Sequence, residues 1–206
     1  MPLNLQSRNV VIVGAFNPRI ILPDWLQKVG IVEPMDTKTE VEFEVGGKDR
    51  PGFRFSTGAF RWHVTDSRLK IDSQHENPAT LAARVLEHLP HTPLSAVGHN
   101  LEYRSESIDG LRLPQIGELN SAALKKEYNK TVRETGWSCR LELAEGVLLN
   151  IRAMQRLGTI EVSTNLHREV PDVDKVRMIA RGFEEDVSLS NNIVSSMIGE
   201  IDEHSH

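Results

Sequence analysis

The chain has 206 residues, with 24 Lys plus Arg against 29 Asp plus Glu and a formal net charge of −5. Hydrophobic residues make up 39% and charged ones 26%, a balance that belongs to folded globular chains and excludes disordered or collagen-like ones. No apolar run approaches the ~20 residues of a membrane helix, and Met1 to Arg8 is too polar for a signal peptide, so a cytoplasmic protein with no membrane segment is expected. A lone cysteine, Cys139, excludes an internal disulfide or a thiolate zinc cluster.

Asn9 to Gly14 is a run of β-branched apolar residues closed by glycine, the signature of a strand inside a sheet. Leu22 to Gly30 reads as a short helix with proline near its first position, Gly30 as its stop and Trp25 as a core anchor. Between Thr39 and Val45, Val41, Phe43 and Val45 alternate with Glu40, Glu42 and Glu44, which predicts a strand with a solvated acidic face. Phe53 to Asp72 reads as a hairpin turning at Thr65-Asp66-Ser67. Asn77-Pro78 caps a helix whose stripe is Leu81, Val85, Leu86 and Leu89, and Pro90 ends it. Leu94 to Arg104 is extended, with Gly98 hinting at a close backbone approach.

The second half repeats the theme. Asn120 or Ser121 opens a helix to Thr135, and Gly136 stops it. Three alternating segments follow, around Trp137 to Leu143, Val147 to Ala153 and Ile160 to Leu166, as a meander. Pro171-Asp172 leads into a long helix through Val187 that continues or restarts near Ser190 and carries Ile193, Met197 and Ile201; the tail at 202–206 is expected to fray. The fold class expected is α+β: one domain over 1–206, a curved, mostly antiparallel sheet with helices packed on one face, and two quasi-repeated halves meeting near 105–120.

The segments Asn-Val-Val-Ile-Val-Gly-Ala-Phe-Asn-Pro at 9–18, Ile-Leu-Pro-Asp-Trp-Leu at 21–26 and Ala-Val-Gly-His-Asn-Leu-Glu-Tyr at 96–103 together resemble an uncharacterised group of bacterial and phage-associated proteins of about this length. The resemblance implies a bacterial or phage origin, with defence as one setting, and a domain spanning the chain. It implies no activity and no catalytic residue.

Chemistry motifs are sparse. Val13 to Pro18 follows a strand and precedes a helix, but one glycine and no Gly-Lys-Ser/Thr cannot cradle a phosphate. His88, His91 and His99 could together bind a metal, but the proline between them and the helix end favour solvated histidines, so no metal and no cofactor is expected. No Gly-x-Ser-x-Gly elbow occurs, Cys139 reads as a small core group, and Glu184-Glu185-Asp186 beside Arg181 reads as a solvated helix face. Arg50, Arg54, Arg61, Arg68 and Lys70 could form a basic face, but the acidic net charge argues against nucleic acid.

Three functional readings follow. The first is a non-enzymatic interaction or assembly module, with a homodimer as minimal assembly and Ile193, Met197 and Ile201 at the interface. The second is a small-ligand binder with a pocket between sheet and C-terminal helix, lined by Phe53, Phe55, Trp62 and Trp137, with Arg61 or His63 orienting the ligand. The third is a metal enzyme built on the three histidines.

Overall fold

A computed structural model describes residues 2–34, 40–46, 50–111, 134–156, 158–170 and 172–202. Ten strands form one open, largely antiparallel sheet: β1 (Leu3–Gly14), β2 (Val41–Gly46), β3 (Arg50–Thr57), β4 (Phe60–Thr65), β5 (Arg68–Ser73), β6 (Leu94–Ser105), β7 (Glu134–Ala144), β8 (Val147–Arg156), β9 (Thr159–Glu169) and β10 (Ile201–Asp202). Their order is β2-β3-β4-β5-β1-β6-β9-β8-β7, so β2 and β7 are the outermost of the described strands, while β10 pairs in parallel with the start of β1. Four helices are described: α1 (Pro23–Lys28), α2 (Pro78–His88), α3 (Val173–Arg181) and α4 (Phe183–Met197). None is long and apolar enough to cross a membrane.

β1 and β6 hold the centre and pair with each other over nearly their whole length. β1 runs further back than its apolar run predicts, because Leu3 pairs with Ile201 and Asn4 and Leu5 pair with Arg104 and Tyr103. Long-range pairing extends a strand where local periodicity is silent. The expected hairpin at Phe53–Asp72 is three strands: the predicted turn at Thr65–Ser67 is present, with Thr65 Oγ1 accepting from the Ser67 and Arg68 amides, and Gly58 at φ 57° turns the chain once more. Val41 and Phe43, expected to be the buried side of β2, are 42% and 61% exposed because β2 lies at the edge of the strand order, where the Phe53 ring stands beside Phe43 at 5.5 Å.

α2 begins as its sequence demands: Asn77 accepts a hydrogen bond from the Ala79 amide, and Leu81, Val85 and Leu86 are buried against β1 and β5. Trp25 on α1 is half-buried, its ring edge-on to His88. The expected helix over 120–135, with its stripe Ala123, Leu124, Tyr128 and Val132, lies outside the described residues except at its end, where Thr135 and Gly136 already belong to β7. The C-terminal helix breaks at Gly182 and, of the two alternatives at Ser190, continues through it; the Gly182 amide donates to the Met178 and Ile179 carbonyls, closing α3 where a residue of low helix propensity sits. Ile201 is not helical at all, since it pairs with Leu3.

One face of the sheet carries a row of cross-strand partners that is almost wholly apolar: Phe55, Trp62, Ile71, Val10, His99, Leu166, Leu149 and Leu141. α4 lies over this face, presenting Phe183, Val187 and Val194 at the three-to-four-residue spacing of a buried stripe.

Candidate binding face

Strand alternation places the neighbour of each buried residue on the opposite side of the sheet. The row one residue along from the apolar one reads Arg61, Asp72, Asn9, Asn100, Asn165, Asn150 and Arg140. Four asparagines from β1, β6, β9 and β8 thus stand side by side, and their amides join in one chain of hydrogen bonds. Arg140 Nε donates to Asn150 Oδ1 at 2.8 Å, Asn150 Nδ2 to Asn165 Oδ1 at 3.3 Å, Asn165 Nδ2 to Asn100 Oδ1 at 2.5 Å, and Asn100 Nδ2 to Asn9 Oδ1 at 2.7 Å.

The chain has a fixed direction. A guanidinium only donates, so Arg140 forces the carbonyl of Asn150 toward itself, and each amide behind must orient the same way. Aligned amides polarise one another. Asn100, Asn165 and Asn150 each spend one N–H and one lone pair on the chain, so each amide has one of each that the row does not use. At a strand spacing of about 4.8 Å, the row from Asn9 to Arg140 spans four intervals, roughly 19 Å.

Gly98 makes room for it. A Cβ there would lie 2.9 Å from Asn165 Nδ2, so any larger residue displaces the amide at the middle of the row. The close approach read from this glycine is thus made by a side chain of the next strand.

The asparagines floor a hollow of about 740 Å³, walled by Arg68, Lys70, Arg140, Arg152 and Glu102. A second hollow of about 750 Å³ adjoins it through Lys70 and Glu102 and includes Glu40, Glu42, Arg61 and His63. Lys70 is tied to Asp72 at 2.8 Å. Arg61, Arg68, Arg140 and Arg152 make no ion pair among the described residues. Every phenyl, phenol or indole ring on the described strands (Phe43, Phe53, Phe55, Phe60, Trp62, Tyr103 and Trp137) alternates onto the other face.

Of the predicted ligand set, Arg61, Trp62 and His63 line the second hollow and Trp137 does not, and side-chain direction divides the set further. Arg61 and His63 share the open face with the asparagines, whereas Trp62 and Trp137 point the other way. Trp62 is 1% exposed, stacks on Phe55 at 5.8 Å and donates from Nε1 to Thr57 Oγ1 at 2.7 Å, so it is a core anchor. The second hollow is nonetheless lined by Arg61, Trp62 and His63 together, although the side chains of consecutive strand residues point to opposite faces. Of the predicted interface residues, Ile193 and Met197 pack partly buried against the protein's own core, as does Ile201 from β10.

Beneath α4 lies a second polar constellation. Asp186 accepts from both terminal nitrogens of Arg168 and pairs with His99 Nδ1, each at 2.7 Å, while Tyr103 donates to Asn191 at 2.7 Å and Arg8 reaches Glu184 at 3.4 Å. Burial pushes the Asp186 carboxyl up, but the hydrogen bonds from His99 and Arg168 and the arginine's charge outweigh it and hold the group below the ordinary carboxylate range. The reading of residues 184–186 as a solvated face holds for Glu184 and Glu185, which are exposed, and is corrected for Asp186, which is 8% exposed. It falls three residues after Phe183 and one before Val187, so the helical period that buries those residues buries it too.

A carboxylate-oriented imidazole is half of a general-base device, but His99 Nε2 is buried, and none of the described residues hydrogen-bonds to it as a nucleophile would. His88 and His91 are exposed while His99 is buried, and no group of three metal-ligating side chains forms among the described residues. Cys139 is half-buried on the α4 side, and burial raises its thiol pKa.

Nothing local in the sequence marks the asparagines as a group, although Asn100 lies two residues from Gly98. The chain matches no protein-family profile and no curated protein.

Proposed function

We propose that the protein is a non-enzymatic binding module that grips an extended polar chain laid across the strands of its open sheet face. The observation that carries this reading is the four-asparagine row, hydrogen-bonded end to end on the floor of a hollow. Polar side chains with no binding task on a sheet face need no such alignment, and here an arginine fixes its direction and a glycine gives it space. On this reading the four described helices cover one face, and none of them covers the other. The strand order supports a duplication: β1 and β6 face each other at the centre, and after each the chain leaves for the far edge and returns to pair beside it through β5 or β9. The role fits an assembly component such as the resemblance to bacterial and phage-associated proteins suggests.

The test is a surface-immobilised panel of neutral and acidic oligosaccharides, unstructured peptides and single-stranded oligonucleotides, probed with the wild-type chain and with Gly98→Ala. At least one class should bind, and Gly98→Ala should weaken it at least about tenfold, a loss of about 1.4 kcal/mol. Gly98 does not sit at positive φ, and the atom in the way is the end of a side chain, so the variant should fold with nearly unchanged urea midpoint. A panel without any bound member, or binding indifferent to Gly98→Ala, overturns the proposal.

A further inference from the structure

We infer that the occupant of the open face is an acidic oligosaccharide, a chain of uronic-acid residues whose carboxylates seat on Arg68, Arg140 and Arg152; this rests on the binding reading above. Charge comes first. The chain as a whole is acidic at −5, yet the hollow over the asparagines gathers Arg68, Lys70, Arg140 and Arg152 against Glu102 and the Lys70-bound Asp72. Three of those cations are guanidiniums without an acid partner among the described residues, and a planar guanidinium matches a carboxylate with two parallel hydrogen bonds.

Spacing and hydrogen-bond pattern then choose among polyanions. Successive amides repeat at about 4.8 Å, close to the length of one pyranose unit and longer than the ~3.4 Å rise of an extended peptide. Each of Asn100, Asn165 and Asn150 has one donor and one acceptor that the row does not use, the complement of the paired hydroxyls that a sugar ring displays. Single-stranded nucleic acid is bound largely by stacking bases on aromatic rings, and the described strands turn every such ring to the other face. Arg152 lies in the row beside the asparagines, opposite Ser138 and Ser163, where it can reach a carboxylate on a sugar whose hydroxyls bind the amides.

The experiment is calorimetric titration of the full chain with hexamers of galacturonate, mannuronate and hyaluronate, and with the methyl ester of the galacturonate hexamer, which keeps the sugar's shape and removes its charge. At least one acidic hexamer should bind at least tenfold more tightly than the ester, with affinity falling as salt rises, and Arg152→Gln and Arg68→Gln should each lose about fivefold or more. If acid and ester bind equally and the arginine variants change nothing while Gly98→Ala abolishes both, the acidic assignment falls and the binding reading survives. If no hexamer binds, or if an oligothymidylate binds more tightly and through the same arginines, the saccharide assignment is overturned. Loss of all binding across the wider panel overturns both.

Discussion

Asp186→Ala is the sharpest test of how α4 is held to the sheet. The carboxylate takes three hydrogen bonds at 2.7 Å, two from Arg168 and one from His99, with side-chain exposures of 11% for Asp186, 19% for Arg168 and 2% for His99. Truncation strands a largely buried guanidinium and a buried imidazole, and removing one partner of such a pair costs about 3–5 kcal/mol. Because Arg168 keeps some contact with water, the lower end applies, about 3 kcal/mol. With a urea m-value of about 2 kcal/mol/M, the midpoint should fall by about 1.5 M at pH 7. Asp186→Asn keeps an acceptor for one of the donors and should fall by less. The acid limb supplies the sign. A carboxyl whose folded pKa is depressed contributes stability that is fully present above its unfolded value near 4 and is lost as pH falls through the lower folded value. The midpoint gap between wild type and Asp186→Asn should therefore hold steady from about pH 7 to 5 and narrow below about pH 4. A gap that widens on acidification, or an Asp186→Ala midpoint within about 0.5 M of wild type, would show that the network does not hold the helix.

Two further predictions concern local structure. Gly14→Ala places a Cβ 2.5 Å from the Pro93 carbonyl oxygen and 2.7 Å from Leu94 Cδ2, a clash with backbone that cannot swing aside. It should cost about 1–3 kcal/mol and lower Tm by several degrees, against almost no change for Gly98→Ala. Equal melting temperatures for the two variants would refute the distinction between backbone and side-chain obstruction. Asn77→Ala removes the hydrogen bond to the Ala79 amide, 3.0 Å long, and should cost about 1 kcal/mol, a Tm drop of roughly 2–4 °C; an unchanged melt would mean that Pro78 alone sets the start of α2.

The sequence was most readable where one local rule decides. The apolar run of β1, the Asn-Pro start of α2 and the alternation of β8 and β9 each belong to a single stretch of chain, and each forms where expected. Reading failed where an assignment needed a neighbour. Arg61, Trp62 and His63 do line one hollow, but the alternation that identifies the strand turns the Trp62 ring away from the other two side chains and into the core. Asp186 was set aside because three acids in a row look solvated, although the stripe of Phe183 and Val187 brackets it. The asparagine row was illegible for a deeper reason. Its hydrogen bonds join residues 91, 65 and 15 positions apart, and an asparagine at an outward strand position looks like any solvated residue until the strand order is known.

The two polar constellations depend on each other through register. His99 and Asn100 are consecutive on β6: the first turns to Asp186 under α4, the second to the asparagine row on the open face. Sliding β6 by one residue against β1 or β9 would carry His99 to the open face and bury Asn100 beneath the helix, since side chains alternate with a period of two. The bonds from His99 and Tyr103 to α4 reject that slip, because both side chains would lose their partners and leave buried polar groups unpaired. Apolar burial alone discriminates less well along β6, where Ala96 to His99 are buried on both alternations. The polar contacts under the helix therefore set the register that lines up the four amides across the sheet, so part of what positions the candidate binding face lies on the side of the molecule that a ligand never touches.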